Sequence, residues 1–252
     1  MTLELTDANS HEVLWADRLT APLDEIDGLR VRIVAHIVSA LETHIPDNEA
    51  RIAHLNGPEG LDAWAHYHLG LRHIYRFTAT DTAVAQACFK RAVAADPRFA
   101  RAHAGLSFTS FLNAFLRLGP DPAAAARATR QHAERSLELD PLDPSANFTM
   151  GRSYWLTNEP DVAADWLTRA KTLNPNYAQG FYAAAFTAML TGNADATYPA
   201  LETSLHLSPL DPLLYGVQGV RAQMLMQQED YQAAADWADR AATAPGAHYL
   251  IA

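Results

Sequence analysis

The chain has 252 residues, of which 49% are hydrophobic and 19% are charged, and its formal net charge at pH 7 is −10. This apolar fraction excludes a disordered chain, and the negative charge disfavours direct binding to nucleic acid. The only cysteine, Cys88, lies in an apolar run, which predicts a buried thiol, and a chain with one cysteine forms no internal disulfide. Neither a signal peptide nor a run of 18 apolar residues occurs, so we predict a cytoplasmic chain without a membrane partner.

Residues 1–60 are predicted to form a partial α/β linker domain made of a hairpin and a long helix. Two short segments rich in apolar residues, Leu3–Leu5 and Val13–Trp15, lie on either side of a turn-forming segment, which indicates two paired strands. A helix is predicted to begin near Asp24. One face of this helix is apolar, at Leu29, Ile33, Ile37 and Leu41. Because an isolated hairpin is only marginally stable, the unit either packs on the following helices or is the remnant of an α/β domain with upstream strands, and we favour the remnant.

From residue 61 onward, proline recurs in similar settings, each time after a short apolar segment that is typical of the end of a helix. Proline cannot continue a helix and disfavours helical angles in the residue before it, so each predicted helix ends shortly before one. The prolines are Pro97, Pro141, Pro175, Pro209 and Pro245. The two middle intervals are 34 residues each. A fixed period of this length predicts a stacked array of helix pairs over residues 61–252.

The two regular units, residues 144–177 and 178–211, place small and large side chains at matching positions. Two antiparallel helices approach closely only where the facing side chains are small. In the first unit these small residues are Gly151, Ala163 and Ala170. Leu167 is one of the large residues expected to fill the space between the two helices.

Three further units are less regular than these two. Residues 61–97 form a slightly longer first unit, residues 100–141 a second unit with an insertion around 115–123, and residues 212–245 a fifth. His248–Ala252 is predicted to begin a sixth pair that is cut short. Because an array that ends in an apolar half-unit lacks a polar cap, we expect the chain to be part of a longer protein.

The matching positions of these units are those of the tetratricopeptide repeat (TPR), and residues 61–252 resemble that family. The resemblance implies an all-α fold, an α-α superhelix or TPR solenoid, which here follows the small N-terminal α/β remnant of hairpin plus helix. The segments Thr6–Ala8, Glu12–Arg18 and Asp24–Ile26, with the first repeat helix Ala63–Gly70, also resemble a linker domain of bacterial multidomain signalling proteins.

In these respects the chain is similar to the TPR regions of class III adenylate cyclases and of winged-helix transcriptional regulators. It contains neither a cyclase domain nor a DNA-binding domain. The catalytic and base-reading residues of those proteins therefore have no counterpart here, and any such output belongs to a missing or separate partner.

No sequence motif of a catalytic nucleophile, a zinc protease or a phosphate-binding loop occurs. We therefore predict that the chain is not an enzyme and uses no cofactor. Among its 11 histidines, His66 and His73 share one helix face while His68 is rotated away from them, and His103 is equivalent to His66 in the next unit. Their spacing lacks the close pairs that zinc sites use, so we predict packing and surface histidines without a metal site.

In TPR proteins, fixed positions on the first helix of each pair line the concave groove of the array. The resemblance places aromatic residues and two arginines at these positions, and arginine is rarely buried without a partner. We predict a partner-binding surface made of Tyr67, Arg101, Phe108, Phe148, Arg152, Trp155, Tyr182 and Phe186. An aromatic groove suits an apolar or helical peptide, with arginine fixing an acidic group. A shift of register would instead place some of these residues in the core between helices.

Together these features predict a non-catalytic scaffold for protein–protein interaction in a bacterial signalling or transcriptional regulatory protein, with a peptide or protein bound in the concave groove. The alternative is a homo-oligomerisation module, for example a homodimer, that holds adenylate cyclase or DNA-binding output domains together. The apolar C-terminus around Tyr249 and the apolar face of the predicted helix at residues 24–45 favour this alternative.

Overall fold

The chain folds as ten α-helices preceded by a two-stranded antiparallel sheet, within the residues that the structure describes. The structure is a computed structural model. It describes residues 2–8, 10–19, 62–209, 211 and 213–244, together with residues 33, 34, 37, 40, 41, 44, 45, 48, 49, 51 and 52. The predicted fold class, an α-α superhelix with a small N-terminal hairpin-and-helix unit, is confirmed.

The N-terminal hairpin consists of β1 (Thr2–Thr6) and β2 (Val13–Arg18), in which Leu5 lies opposite Trp15. The turn between the strands is held by Asp7, whose Oδ1 accepts a hydrogen bond of 2.7 Å from the backbone N–H of Ser10. The described residues between 33 and 52 are all helical. Asn48 in this helical segment donates to Asp7 Oδ2 at 3.1 Å, which ties the segment to the hairpin. The predicted start of that helix, near residue 24, lies outside the described residues.

The ten helices form five consecutive pairs, and these pairs correspond to the five predicted units. The pairs are α1 (Ala63–Ile74) with α2 (Ala79–Ala95), α3 (Ala100–Phe115) with α4 (Pro122–Leu139), α5 (Pro144–Ser153) with α6 (Pro160–Leu173), α7 (Ala178–Leu190) with α8 (Ala194–Leu207), and α9 (Leu214–Gln227) with α10 (Tyr231–Thr243). A 3-10 turn at Tyr154–Thr157 continues α5. The predicted sixth pair lies outside the described residues.

The second helix of each of the first four pairs ends two residues before a proline, as the sequence predicts. The intervening residue has extended backbone angles, since proline disfavours helical angles in the residue that precedes it. Each such residue still donates its N–H to the carbonyl four residues earlier, which completes the helix. These residues are Asp96, Asp140, Asn174 and Ser208, with φ of −138°, −146°, −136° and −141°.

Helices approach most closely where a glycine faces a large side chain. The ring of Phe89, which is fully buried, lies against Gly70 of α1 and Gly105 of α3. A Cβ atom at these two glycines would stand 2.5 Å and 2.7 Å from carbon atoms of the ring, so a larger residue at either position would force the helices apart. Gly151 contacts Leu167 in the same manner, with 2.8 Å from an added Cβ to Cγ, which confirms the predicted role of both residues.

The first pair also contacts the fourth and fifth pairs across the concave side of the array. The hydroxyl of Tyr75, which follows α1, donates a hydrogen bond of 2.9 Å to Oε1 of Gln179 in α7. The ring of Phe77 meets that of Tyr215 in α9 edge to face, with 6.1 Å between the ring centroids. These contacts join distant pairs of the array and bury part of its inner surface.

Candidate functional site

The concave side of the array holds a continuous set of aromatic rings that contact one another at tilted or edge-to-face angles. Phe108 packs against Phe148 with 5.9 Å between ring centroids, and Trp155 packs against Phe111 and Phe186 at 5.7 Å and 4.5 Å. Trp155 also donates from Nε1 to Thr187 Oγ1 at 2.9 Å. These contacts are made within the chain, so they stabilise the superhelix whether or not a partner is bound.

Six of the eight residues that the sequence predicts as partner-binding are buried inside the chain. They are Tyr67, Phe108, Phe148, Arg152, Tyr182 and Phe186. Trp155 is half-buried, and the Arg101 side chain is 50% exposed. Partner binding by these residues stays a prediction. Because most of them are buried, a partner could contact mainly Arg101 and the edges of rings that line the cavity described below.

Arg152 lies at the centre of this aromatic set rather than on its surface. Its guanidinium carbon is 4.3 Å from the ring centroid of Phe111 and 4.8 Å from those of Phe108 and Trp155. Among the described residues, its Nε and Nη1 have no hydrogen-bond acceptor, and burial lowers the pKa of Arg152 to about 10. The expectation that this arginine avoids unpaired burial is therefore wrong, because the ring faces provide the attraction that a carboxylate usually gives.

Between the first helices of the first three pairs, the concave side contains a cavity of about 640 Å³. Its aromatic walls are Trp64, Tyr67, Tyr75, Phe108, Phe148 and Tyr177. Gln179, Ser208 and Asp211 close it on the side of the fourth pair, and Leu41 and Ile45 from the helical segment before the repeats also line it. The cavity brings together four predicted residues, Tyr67, Arg101, Phe108 and Phe148, while the other four do not line it.

The charged residues that line the cavity are mostly basic. Arg101 is fixed by a 2.7 Å hydrogen bond from its Nε to Oδ2 of Asp143, which is 5% exposed. Arg76 pairs with Asp81 at 3.2 Å, and Arg72 makes no ion pair with any described residue. The single carboxylate in the lining is Asp211, whose pKa burial raises above its usual value. The lining therefore offers arginine side chains to an acidic group, although Asp81, Asp143 and Asp211 balance the summed charge of the three arginines.

His68 is a polar side chain in the cavity wall that has no internal partner. It is 4% exposed, and neither ring nitrogen makes a hydrogen bond to any described residue. Its ring contacts those of Trp64 and Tyr67, with centroid distances of 4.3 Å and 5.2 Å. Burial and the nearby charge of Arg101 lower the pKa of His68 to about 4, so the imidazole is neutral at pH 7. A buried polar group without a partner costs about 1–3 kcal/mol, which points to a ligand group that completes it.

Sequence reasoning passed over His68 because it compared histidines only with one another. The informative spacing is between Trp64 and His68, which lie four residues apart and therefore on the same face of α1. The predicted buried thiol of Cys88 is confirmed, and burial raises its pKa. In the described part of the chain, no three His, Cys, Asp or Glu side chains cluster as metal ligands would.

Comparison with known families agrees with the fold. The tetratricopeptide repeat family model matches residues 112–178 and 199–248, a little under half of the chain. The chain carries tetratricopeptide repeats. None of the helices described in the structure is long and apolar enough to cross a membrane.

One related sequence is the protein named Putative adenylate cyclase 3 of Rhizobium meliloti (strain 1021). It is 26% identical to this chain over 169 residues, which cover 66% of this chain and 27% of that protein. The chain therefore spans only about a quarter of the length of this relative.

Among solved structures, PilF of Pseudomonas aeruginosa is similar, with 20% identity and a TM-score of 0.51 over 71% of this chain and 75% of PilF. MamA has 19% identity and a TM-score of 0.44, and the match covers 65% of this chain and 88% of the MamA chain. YrrB, described as a TPR protein with an unusual peptide-binding site, has 16% identity and a TM-score of 0.43, and covers 68% of this chain and 82% of its own. The likeness to PilF supports the helical-repeat fold alone.

Proposed function

We propose that this chain is a non-catalytic interaction module that binds a short segment of a partner protein in the concave cavity. The observation that carries the proposal is the cavity itself, which combines aromatic walls with Arg72 and Arg101. TPR arrays are suited to this role because stacked helix pairs create an extended concave surface.

The partner segment is expected to be acidic and to carry an aromatic or large apolar side chain. Residues 72–135 contain ten basic and four acidic residues, so the region around the cavity attracts negative charge. The aromatic walls provide the apolar contact area that such a side chain buries. Tyr75 and Gln179 both line the cavity, and the hydrogen bond between them bridges the first and fourth pairs at its edge, which favours a short segment over a long helix.

Selection of peptides from a random phage-displayed library tests this proposal. We expect the full chain to enrich sequences in which an acidic residue lies beside an aromatic one. The Arg101→Gln variant should lose these peptides, whereas Arg98→Gln should retain them. Arg98 is a matched control because it is exposed, lies three residues from Arg101 and does not line the cavity.

Two results would contradict the proposal. One is enrichment of peptides that bind wild type and Arg101→Gln equally, which would place the binding surface elsewhere. The other is a complete failure to enrich any peptide. Circular dichroism of each variant establishes that a loss of binding is not a loss of folding.

The proposed setting is the cytoplasm of a bacterium, in a signalling or regulatory system. Its support is the relative named as an adenylate cyclase, together with the single buried thiol of Cys88, which suits a reducing compartment. In this setting the module would recruit a partner to an output domain on the same or another chain.

A second candidate function is self-association, and one surface favours it. On the helical segment before the repeats, Val34, Ile37 and Leu41 lie on one face and are 42%, 38% and 38% exposed. If this face joins two copies, light scattering of the full chain gives a dimer, and Ile37→Glu converts it to a monomer. Val84→Glu, at a residue of α2 that is likewise 38% exposed, should leave the mass unchanged. A monomeric wild type at high concentration would exclude this candidate.

A further inference from the structure

The cavity has the properties of a small-molecule site as well as those of a peptide site. We infer that it binds a small planar aromatic acid, whose ring lies between the aromatic walls and whose carboxylate is held by His68 and Arg101. This inference goes beyond the proposed partner binding and does not depend on it, because it rests on side chains of this chain alone.

The volume of the cavity is that of a small-molecule site. Cavities that hold small organic ligands are typically about 300–1,000 Å³ in volume, and this one is about 640 Å³. Helices α1, α3 and α5 line it, and Leu41 and Ile45 contribute from the segment before the repeats. A two-ring molecule fits within this volume.

The aromatic side chains in the cavity wall favour a ligand with a flat apolar group. Aromatic side chains face the cavity from three helices, so a planar ring can stack on one face and meet the edge of another. Trp64 offers the most accessible of these surfaces, because its side chain is 44% exposed although it lies in contact with Phe99 and His68. Its exposed ring surface is therefore open to contact with a ligand in the cavity.

The polar side chains in the cavity wall favour a ligand that carries an acidic group. Neutral His68 has one N–H donor that no described residue accepts, and it lies near Arg101, whose charge lowers its pKa. Asp143 holds Arg101 through Nε, so the guanidinium is fixed in orientation while half of the side chain stays exposed. A carboxylate is the group that accepts hydrogen bonds from an imidazole N–H and a guanidinium together.

The charges at the cavity limit how many negative charges a ligand can carry. Asp143 pairs with Arg101 and Asp81 pairs with Arg76. Arg72 has no ion-pair partner among the described residues, and Asp211 is the one carboxylate among the described lining residues. These charges balance in sum, so the donors of His68 and Arg101, rather than a net charge, favour an acid, and a ligand with one negative charge disturbs the balance less than a phosphate with two.

Isothermal titration calorimetry of the full chain tests the inference with naphthalene-2-carboxylate and its isosteric neutral amide, naphthalene-2-carboxamide. We expect one-to-one binding of the acid, about tenfold tighter than the amide, since charge-assisted hydrogen bonds are roughly twice as strong as neutral ones. His68→Phe preserves the ring and removes both nitrogens. It should weaken the acid about tenfold and the amide less, because a neutral carbonyl oxygen accepts a weaker hydrogen bond from the imidazole than a carboxylate does.

His66→Phe is the matched control. His66 lies on the same helix and is 8% exposed, but it does not line the cavity, so this change should not affect binding of the acid. The inference is overturned if neither compound binds, if the acid and the amide bind equally, or if the two histidine variants weaken the acid equally. Failure of the peptide selection would leave these results unaffected, so the two proposals fail separately.

Discussion

The hydroxyl of Tyr75 donates a 2.9 Å hydrogen bond to Oε1 of Gln179, a residue 104 positions later in the chain. The bond joins the first helix pair to the fourth, and the contact of Phe77 with Tyr215 joins the first pair to the fifth. In an open repeat array each unit contacts only its neighbours, so stability is a sum of local contributions. Here the distant contacts couple units that would otherwise unfold separately.

Replacing Tyr75 by phenylalanine tests this coupling. The change removes the hydroxyl and leaves Gln179 without its donor, so we expect the free energy of unfolding to fall by about 0.5–1.5 kcal/mol. Urea denaturation followed by circular dichroism gives this value. Tyr231→Phe is the control, because Tyr231 is 61% exposed on α10 and should tolerate the change. An equal response from both variants would mean that the distant hydrogen bond contributes nothing to stability.

Asp143 performs two structural tasks, and its removal should cost more than the loss of an ordinary helix cap. Its Oδ1 accepts hydrogen bonds from the backbone N–H groups of Ser145 and Ala146 at the start of α5, while Oδ2 accepts from Arg101. We expect Asp143→Ala to lower the free energy of unfolding by roughly 2–3 kcal/mol, since a cap contributes about 1 kcal/mol and a charge-assisted hydrogen bond somewhat more.

Two variants separate the tasks of Asp143. Asp121→Ala removes a cap of α4 that has no arginine partner, and it should cost only about 1 kcal/mol. Asp143→Asn can still cap α5 but loses the charge opposite Arg101, so its stability should lie between those of wild type and Asp143→Ala. If Asp143→Ala and Asp121→Ala cost the same in urea denaturation, the ion pair with Arg101 has no net effect.

Gly105→Ala is a change for which helix propensity and packing predict opposite signs. Alanine favours a helix by about 1 kcal/mol over glycine, but here its Cβ would stand 2.7 Å from the ring of Phe89. Overpacking typically costs about 1–3 kcal/mol, so we expect a net loss of stability. Phe89→Leu should relieve the clash, so the double variant should lose less than the sum of the single variants. Simple additivity in the four-member cycle would contradict this explanation.

Features set by local sequence were predictable. Prolines such as Pro141 end helices through their own covalent geometry, and glycines such as Gly151 mark close helix contacts, so helix pairs and their ends follow from short windows of sequence. The hairpin of β1 and β2 follows from two short apolar segments on either side of a turn-forming segment. The location of the domain boundary near residue 60 stays a prediction.

The positions of residues within each repeat could not predict that the inner surface of the array is buried. Those positions predict which side chains point to the concave side. Whether such a side chain, for example Phe186 or Arg152, is exposed to solvent or covered by other repeats depends on the coil of the superhelix. That coil depends on contacts such as Phe77 with Tyr215, between residues far apart in sequence. Arg101 lines the cavity and remains half exposed, whereas Phe108 of the same helix is buried.

The protonation of His68 gives the stability of the chain a predictable pH dependence. Its pKa falls from 6.5 to about 4 on folding, through burial and the charge of Arg101, so the unfolded chain binds a proton that the folded chain does not. The neutral state is fully stable above about pH 6.5, and stability is lost at up to about 1.4 kcal/mol per pH unit as the pH falls towards 4. His68→Phe should abolish this part of the loss, so its advantage over wild type in urea denaturation should grow between pH 7 and pH 5. His206→Gln, which removes an exposed histidine on α8, is the control, and its stability relative to wild type should not rise in this way. If the stability difference between His68→Phe and wild type is the same at pH 7 and pH 5, the imidazole of His68 titrates alike in the folded and unfolded states.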